Sequence, residues 1–150
     1  MVNFKLDANN FIHLKTQYDI TPITFLNIND NLSLIEDSIK HFNSEIEWKD
    51  MFTIEEAIKR VSEGMIMYIG LNDFGVFGHV WFNDYKDGRV LFNLFVRNQI
   101  PKKEYTGKEF VSDIIHRFEH EKPIYSEVGE WNKKSINLFK RLGFELKNNL

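Results

Sequence analysis

The stretch Glu127-Val128-Gly129-Glu130-Trp131-Asn132-Lys133-Lys134-Ser135-Ile136-Asn137-Leu138-Phe139-Lys140-Arg141-Leu142-Gly143-Phe144 decides how the chain is read. Just upstream, Pro123 opens a short apolar run, Ile124 to Val128, with the length and composition of a strand. Lys133 to Leu142 then reads as a helix that Gly143 stops, and Phe144 to Leu146 follows as a closing strand. The carboxyl end is therefore a strand, helix, strand unit.

Working upstream, Thr106 with Glu109 three positions on forms a capping-box pair, and Phe110, Val111, Ile114, Ile115 and Phe118 follow at helical spacing. Before it lie three apolar runs, Met65 to Leu71, Val76 to Phe82 and Arg89 to Val96. The turn sequences Asn72-Asp73-Phe74-Gly75 and Lys86-Asp87-Gly88 separate them, which predicts an antiparallel meander. Two further capping pairs, Ser33 with Glu36 and Thr53 with Glu56, predict two helices between residues 32 and 63, the second closed by Gly64. Ile23 to Ile28 after Pro22, and the alternating Phe11 to Tyr18, are strand candidates. This order of layers predicts an α/β or mixed α+β domain with a mixed sheet.

Composition limits function. A chain of 150 residues is one domain's worth, and the expected organisation is a single domain over 1–150 with residues 1–22 as an amino-terminal extension. Its 43% apolar and 27% charged residues are those of a globular chain. The absence of Cys excludes disulfides, thiolate nucleophiles and Cys-ligated metals. Net charge of -3 supplies no general attraction to phosphate backbones or anionic lipid, so neither nucleic acid nor membrane is expected as a partner. No apolar run reaches spanning or signal-peptide length, and a soluble cytoplasmic protein is expected.

The segment from Glu127 to Phe144 resembles the C-terminal motif of GCN5-related N-acetyltransferases (GNAT): a strand ending in Val, then an Asn, then a helix closing on Gly-Phe. The order of elements from Ile23 to Leu146 fits the same family. The resemblance implies a mixed, mostly antiparallel sheet flanked by about four helices and splayed between its fourth and fifth strands, here Arg89 to Val96 and Ile124 to Val128. It further implies that acetyl-coenzyme A serves as co-substrate, with its pantetheine in the splay, and that an acyl group, acetyl foremost, passes to a primary amine by direct attack. The acceptor amine is not named by any residue.

The resemblance also assigns residues. Its phosphate-binding turn falls on Thr106, Gly107 and Lys108, where unpaired helix amides suit a pyrophosphate. Thr106, Glu109 and Val111 replace the family's Arg and two Gly residues, and a carboxylate in that first turn opposes phosphate, so weak binding is expected. Lys102, Lys103 and Lys108, with Asn132, Lys133 and Lys134 on the other side, are the cations and cap that could meet the phosphates. The bland alternative for each Lys is a solvated surface charge. Backbone amides of Leu94, Phe95 or Val96 map to the oxyanion position, and Glu127 maps to the base of the branch that acetylates protein N-termini. Its alternative is a strand carboxylate paired with a Lys. Phe139 stands where the family has a Tyr acid, and its ring is expected to point at the cofactor sulfur although it donates no proton.

Three other features have bland readings. His116 and His120 are spaced to bind a metal but lack a third ligand, and no metal is expected. His79 reads as a hydrogen-bonded sheet histidine ahead of a base, and Trp48 with Phe52 reads equally as acceptor loop or core. The chain ends six residues after Phe144, where the family continues through a hairpin, so a strand is expected to come from the segment before Ile23 or from a symmetry mate in a homodimer. The departures at Thr106, Glu109, Val111 and Phe139 keep a second function open: a binding or structural module on the same fold.

Overall fold

The computed structural model describes residues 1–8, 18–46, 51–97, 106–119 and 121–147. Seven strands and four helices follow one another as β1 (Val2–Leu6), β2 (Asp19–Ile23), α1 (Leu32–Glu45), α2 (Ile54–Ser62), β3 (Ile66–Asn72), β4 (Gly75–Tyr85), β5 (Gly88–Val96), α3 (Thr106–Phe118), β6 (Ile124–Val128), α4 (Lys133–Arg141) and β7 (Glu145–Lys147). The strands form one sheet in the order β2-β3-β4-β5-β6-β1-β7. The β1–β6, β1–β7, β2–β3 and β3–β4 pairs are antiparallel and β5–β6 is parallel, as the resemblance implied. Two compact units divide the chain, Met1–Thr16 with Asp84–Phe92 and Lys102–Leu150, and Gln17–Asn83 with Asn93–Pro101.

In the second unit, Ile35, Ile39, Ala57 and Val61 of the two helices pack with Met67, Ile69, Val76 and Trp81 of the strands in one apolar cluster. Thr53 caps α2 as expected: its Oγ1 accepts from the Glu56 N–H at 3.0 Å. The helix stops where Gly64 takes a φ of +117°, a conformation that only glycine adopts cheaply. Two expectations need correction here. The strand read at Ile23 to Ile28 lies earlier, at Asp19–Ile23. Asn27 explains the shift by closing a turn, its Oδ1 accepting from the Thr24 N–H at 2.8 Å and its Nδ2 donating to the Pro22 carbonyl at 2.9 Å. Pro22 itself is tolerated because β2 is an edge strand. Nor is Ser33 a cap. A 3-10 turn over Ile28–Asn31 runs straight into α1, and Glu36 pairs with Lys40 at 2.9 Å instead.

The first unit contains the decisive stretch. Helix α4 starts at Lys133 and ends where Gly143 turns to a φ of +88°, with the Phe144 N–H donating to the Phe139 carbonyl at 3.0 Å. Phe139 is buried against Phe4 and Phe144, ring centroids 5.6 and 4.9 Å away. Burying a ring of that size is worth roughly 2–3 kcal/mol, enough to hold helix to sheet. Strand β1 lies between β6 and β7, with Val2 opposite Val128, Leu6 opposite Ile124 and Phe4 opposite Leu146. The extra strand is thus supplied by the segment before Ile23 of the same chain. It is formed by Val2–Leu6, while the candidate Phe11 to Tyr18 lies, save Tyr18, outside the described residues.

The register of β6 carries the most consequence for function. On its β1 side it is paired along its whole length. On its β5 side, among the described residues, the ladder covers Arg89 with Ile124 and Val90 with Tyr125. Beyond that point the Ser126 hydroxyl donates to the Leu91 carbonyl at 3.2 Å. Parallel pairing that lapses after two residues is what a splay between these strands requires.

Candidate active site

Alternation along β6 sends Ile124, Ser126 and Val128 into the core and leaves Tyr125 half-buried and Glu127 exposed on the opposite face. There they line a cavity of about 450 Å³ together with Tyr85, Asp87, Gly88, Val90 and Ser126. Gly88 is required at that point, since a Cβ on it would lie 2.6 Å from Tyr125 Cε2 and 3.0 Å from the Pro123 carbonyl oxygen. The ring of Tyr125 therefore rests against bare backbone and forms one wall.

Charges around the cavity are unevenly matched. Lys5 Nζ sits 3.3 Å from Asp7 and 5.6 Å from the centre of the Tyr125 ring, and the hydrogen bond to Asp7, with the Tyr125 hydroxyl after it, raises its pKa. Arg89 bonds to Asp84 at 3.1 Å and to the buried Glu119, and Lys122 bonds to Asp84 at 2.9 Å and to the Tyr85 carbonyl at 2.9 Å. Among the described residues no hydrogen bond or ion pair engages the side chains of Asp87 or Glu127. Asn3 stands opposite Glu127 in the β1–β6 register, and its Oδ1 is buried without a hydrogen-bond partner.

The remaining residues read from sequence fall as follows. Helix α3 runs from Thr106 to Phe118, and Thr106 stands at its start. Gly107 is half-buried and a Cβ there would meet Leu138 Cδ2 at an ordinary 3.8 Å, so crowding alone does not demand glycine. Lys108 and Glu109 are half-buried in the same first turn. Asn132 caps α4 by accepting from the Ser135 N–H at 3.2 Å, while Lys133 and Lys134 stand exposed beside it. Two lysines in a first turn oppose the helix dipole, an arrangement that an anion at that end would relieve. Phe139 is 3% exposed and its neighbours are Phe4 and Phe144. All of these belong to the first unit, whereas Leu94, Phe95 and Val96, at the end of β5, belong to the second. Lys102, Lys103, Trp48 and His120 lie outside the described residues.

His79 is no exposed base. It is fully buried, with Nδ1 2.7 Å from Ser38 Oγ and Nε2 2.7 Å from Asn93 Oδ1, and stacked on Trp81 at 4.7 Å. An amide oxygen only accepts, so Nε2 carries the proton and Nδ1 accepts from the serine. Burial pushes the imidazole down to about 4. Among the described residues no group of three His, Asp or Glu could hold a metal, and no helix is long and apolar enough to cross a membrane.

Sequence reasoning missed Tyr85, Asp87 and Val90 as cavity walls. Tyr125 was within reach, since it shares the exposed parity of Glu127 on β6, whereas Lys86-Asp87-Gly88 was fully accounted for as turn chemistry.

No protein-family model matches the chain, and no curated protein matches it. Solved structures do. A conserved protein of unknown function from Staphylococcus epidermidis superposes with a TM-score of 0.63 at 13% identity over 97% of this chain, which spans 57% of that one. A GNAT-family acetyltransferase from Streptococcus pneumoniae gives 0.56 at 16% identity, covering 86% of this chain and 88% of its own. AAC(6')-Iy in complex with the bisubstrate analog CoA-S-monomethyl-acetylneamine gives 0.58 at 13% identity, covering 90% and 95%. Likeness at such identities concerns the fold: the chain has the fold of the GCN5-related N-acetyltransferases.

Proposed function

We propose that this chain transfers an acyl group, acetyl foremost, from coenzyme A to a primary amine. The observation that carries the reading is the place of Glu127: exposed, lining a cavity, on the strand whose parallel pairing with β5 lapses one register position earlier. The like fold of a protein bound to a coenzyme A bisubstrate analog supports it.

In the reaction the amine nitrogen attacks the thioester carbonyl carbon, an N–C bond forms, and the C–S bond breaks to release the thiolate. Glu127 takes the proton that the nitrogen loses. Asn3 stands opposite it across the β1–β6 ladder, where opposed side chains are about 5 Å apart at Cβ. Coenzyme A phosphates are assigned to Thr106, Gly107 and Lys108 at the start of α3, and to Asn132 and Lys134 at the start of α4. Glu109 weakens that hold. Phe139 supplies no acid, and a thiolate whose parent pKa is near 8.5 leaves without one.

Calorimetric titration with acetyl-coenzyme A, followed by thiol release with a panel of amines, tests the reading. Glu127→Gln should leave binding unchanged and lower turnover by about 10² to 10⁴. No binding by the wild type, or full turnover by Glu127→Gln, refutes it.

A further inference from the structure

The net charge of -3 conceals two surfaces of opposite sign. From Trp131 to Phe144 the cations Lys133, Lys134, Lys140 and Arg141 meet no carboxylate, whereas from Asp19 to Glu45 Lys40 is alone among Asp19, Asp30, Glu36, Asp37 and Glu45. On α4, Lys133, Asn137, Lys140 and Arg141 fall at i, i+4, i+7 and i+8, an exposed stripe on the side away from the buried Ile136 and Phe139. Among the described residues none of its cations is in an ion pair: nearby Glu145 is taken by Lys147 at 3.2 Å, and Glu130 by the Met1 amine at 3.9 Å. On α1 the exposed face is Leu32, Ser33, Glu36, Asp37 and Lys40. Glu36 holds Lys40 at 2.9 Å, and on the adjoining α2 Lys59 is paired with Glu63 at 4.0 Å while Arg60 lies over the Phe52 ring. That leaves Asp37, and Asp30 just ahead of the helix, without an ion pair among the described residues.

Each helix is entered through a turn that shows large apolar side chains to solvent. Trp131, 82% exposed, is braced on the backbone of Gly129, where a Cβ would strike the indole. Phe25 and Leu26, 61% and 82% exposed, stand in the turn that Asn27 closes, and Leu32 begins α1. Exposed apolar groups beside unpaired charge mark interaction surfaces, and tryptophan is enriched among interface anchors.

We propose that the α4 face of one copy docks on the α1 face of a second copy, with Lys133, Lys140 and Arg141 against Asp30 and Asp37 and with Trp131 and the Phe25-Leu26 turn as apolar anchors. Charge selects this occupant. Like faces repel, α1 on α1 and α4 on α4, and the acidic α1 face turns away nucleic acid and anionic lipid. A second copy supplies both the cationic helix that suits α1 and the acidic helix that suits α4, each with its own apolar turn. The pairing is independent of the acyl transfer proposed above, and Lys134, assigned there to coenzyme A, is not required for it.

Sedimentation velocity of the full chain tests the pairing. At low ionic strength the mean mass should rise above that of the monomer as chain concentration increases, and added salt should return it, because the Debye length falls from about 30 Å at 0.01 M to about 3 Å at 1 M. Lys140→Glu with Arg141→Glu, and separately Asp30→Lys with Asp37→Lys, should each weaken association by about a hundredfold, the scale of like charges set against one another. Mixing the two variants sets Glu against Lys and should restore association at a 1:1 ratio. Lys133→Glu, which the dipole of α4 favours, takes the place of the first variant should that one melt early. A wild type that stays monomeric at every concentration in low salt, association that survives either reversal, or variants that stay apart when mixed overturns the proposal. So does a monomer that takes up a short DNA duplex through Lys140 and Arg141, which would assign the α4 stripe to phosphates.

Discussion

Acidification should destabilise this protein through His79. The imidazole is buried among Trp81, Phe42 and Phe95, with no carboxylate among its hydrogen-bond partners, and both ring nitrogens are engaged by neutral groups. Its pKa falls from 6.5 to about 4 because burial penalises the charged ring. The sign follows from linkage: above pH 6.5 the ring is neutral folded and unfolded, and nothing is lost. As pH falls below 6.5 the unfolded chain takes up a proton that the folded chain refuses until about pH 4, so stability drains away through that window. The loss is about 2 kcal/mol at pH 5 and about 3 kcal/mol at pH 4, a large share of the 5–15 kcal/mol typical of a domain. Denaturant unfolding of wild type and His79→Gln between pH 7 and 4 isolates it, because carboxylate titrations are common to both. The wild type should show the steeper decline by that amount. NMR titration of the wild-type imidazole gives the same answer should the variant fold poorly. Parallel pH profiles, or an imidazole that titrates near 6.5, would refute the argument.

Three further outcomes are expected. Phe139→Tyr should raise thiol release, by up to the 10² to 10⁴ that general acid help supplies, and its thermal midpoint will report what a hydroxyl costs between Phe4 and Phe144; a folded variant with unchanged turnover excludes an acid at that position. Glu109→Gly should tighten acetyl-coenzyme A binding by up to about 1 kcal/mol in titration, at a similar cost to α3; unchanged or weaker affinity moves the phosphates elsewhere. Deleting residues 1–6 removes the strand that joins β6 to β7 and should yield an aggregating or markedly less stable chain by light scattering and thermal melting, whereas a monomer of wild-type stability would show that β1 is dispensable.

What the sequence made legible is what local chemistry encodes. Gly143 at positive φ, the α4 boundaries and the Thr53 cap were readable because each is determined within a few residues. Where two local devices compete, the reading fails: Ser33 and Glu36 have capping spacing, yet the turn closed by Asn27 and the 3-10 turn after it run into the helix and start it two residues sooner. Strand β1 carries the right period, Phe4 and Leu6 inward with Asn3 and Lys5 outward, but five residues of alternation do not say which edge they join.

The same division runs through the site. Glu127 is nominated by a motif eighteen residues long, all on neighbouring elements, and the structure sets it beside a cavity. Asp87 belongs to a turn whose Asp and Gly already have a sufficient reason to be there, so its place in the lining of the same cavity as Glu127 became visible only in the structure. His79 makes the point from the other side. Its partners Ser38 and Asn93 are 41 and 14 residues away, and an imidazole between a hydroxyl and an amide has the polar contacts of a catalytic relay. Full burial and a depressed pKa assign it instead to holding α1 against the sheet, a distinction that lies in solvent access and in no property of the residues themselves.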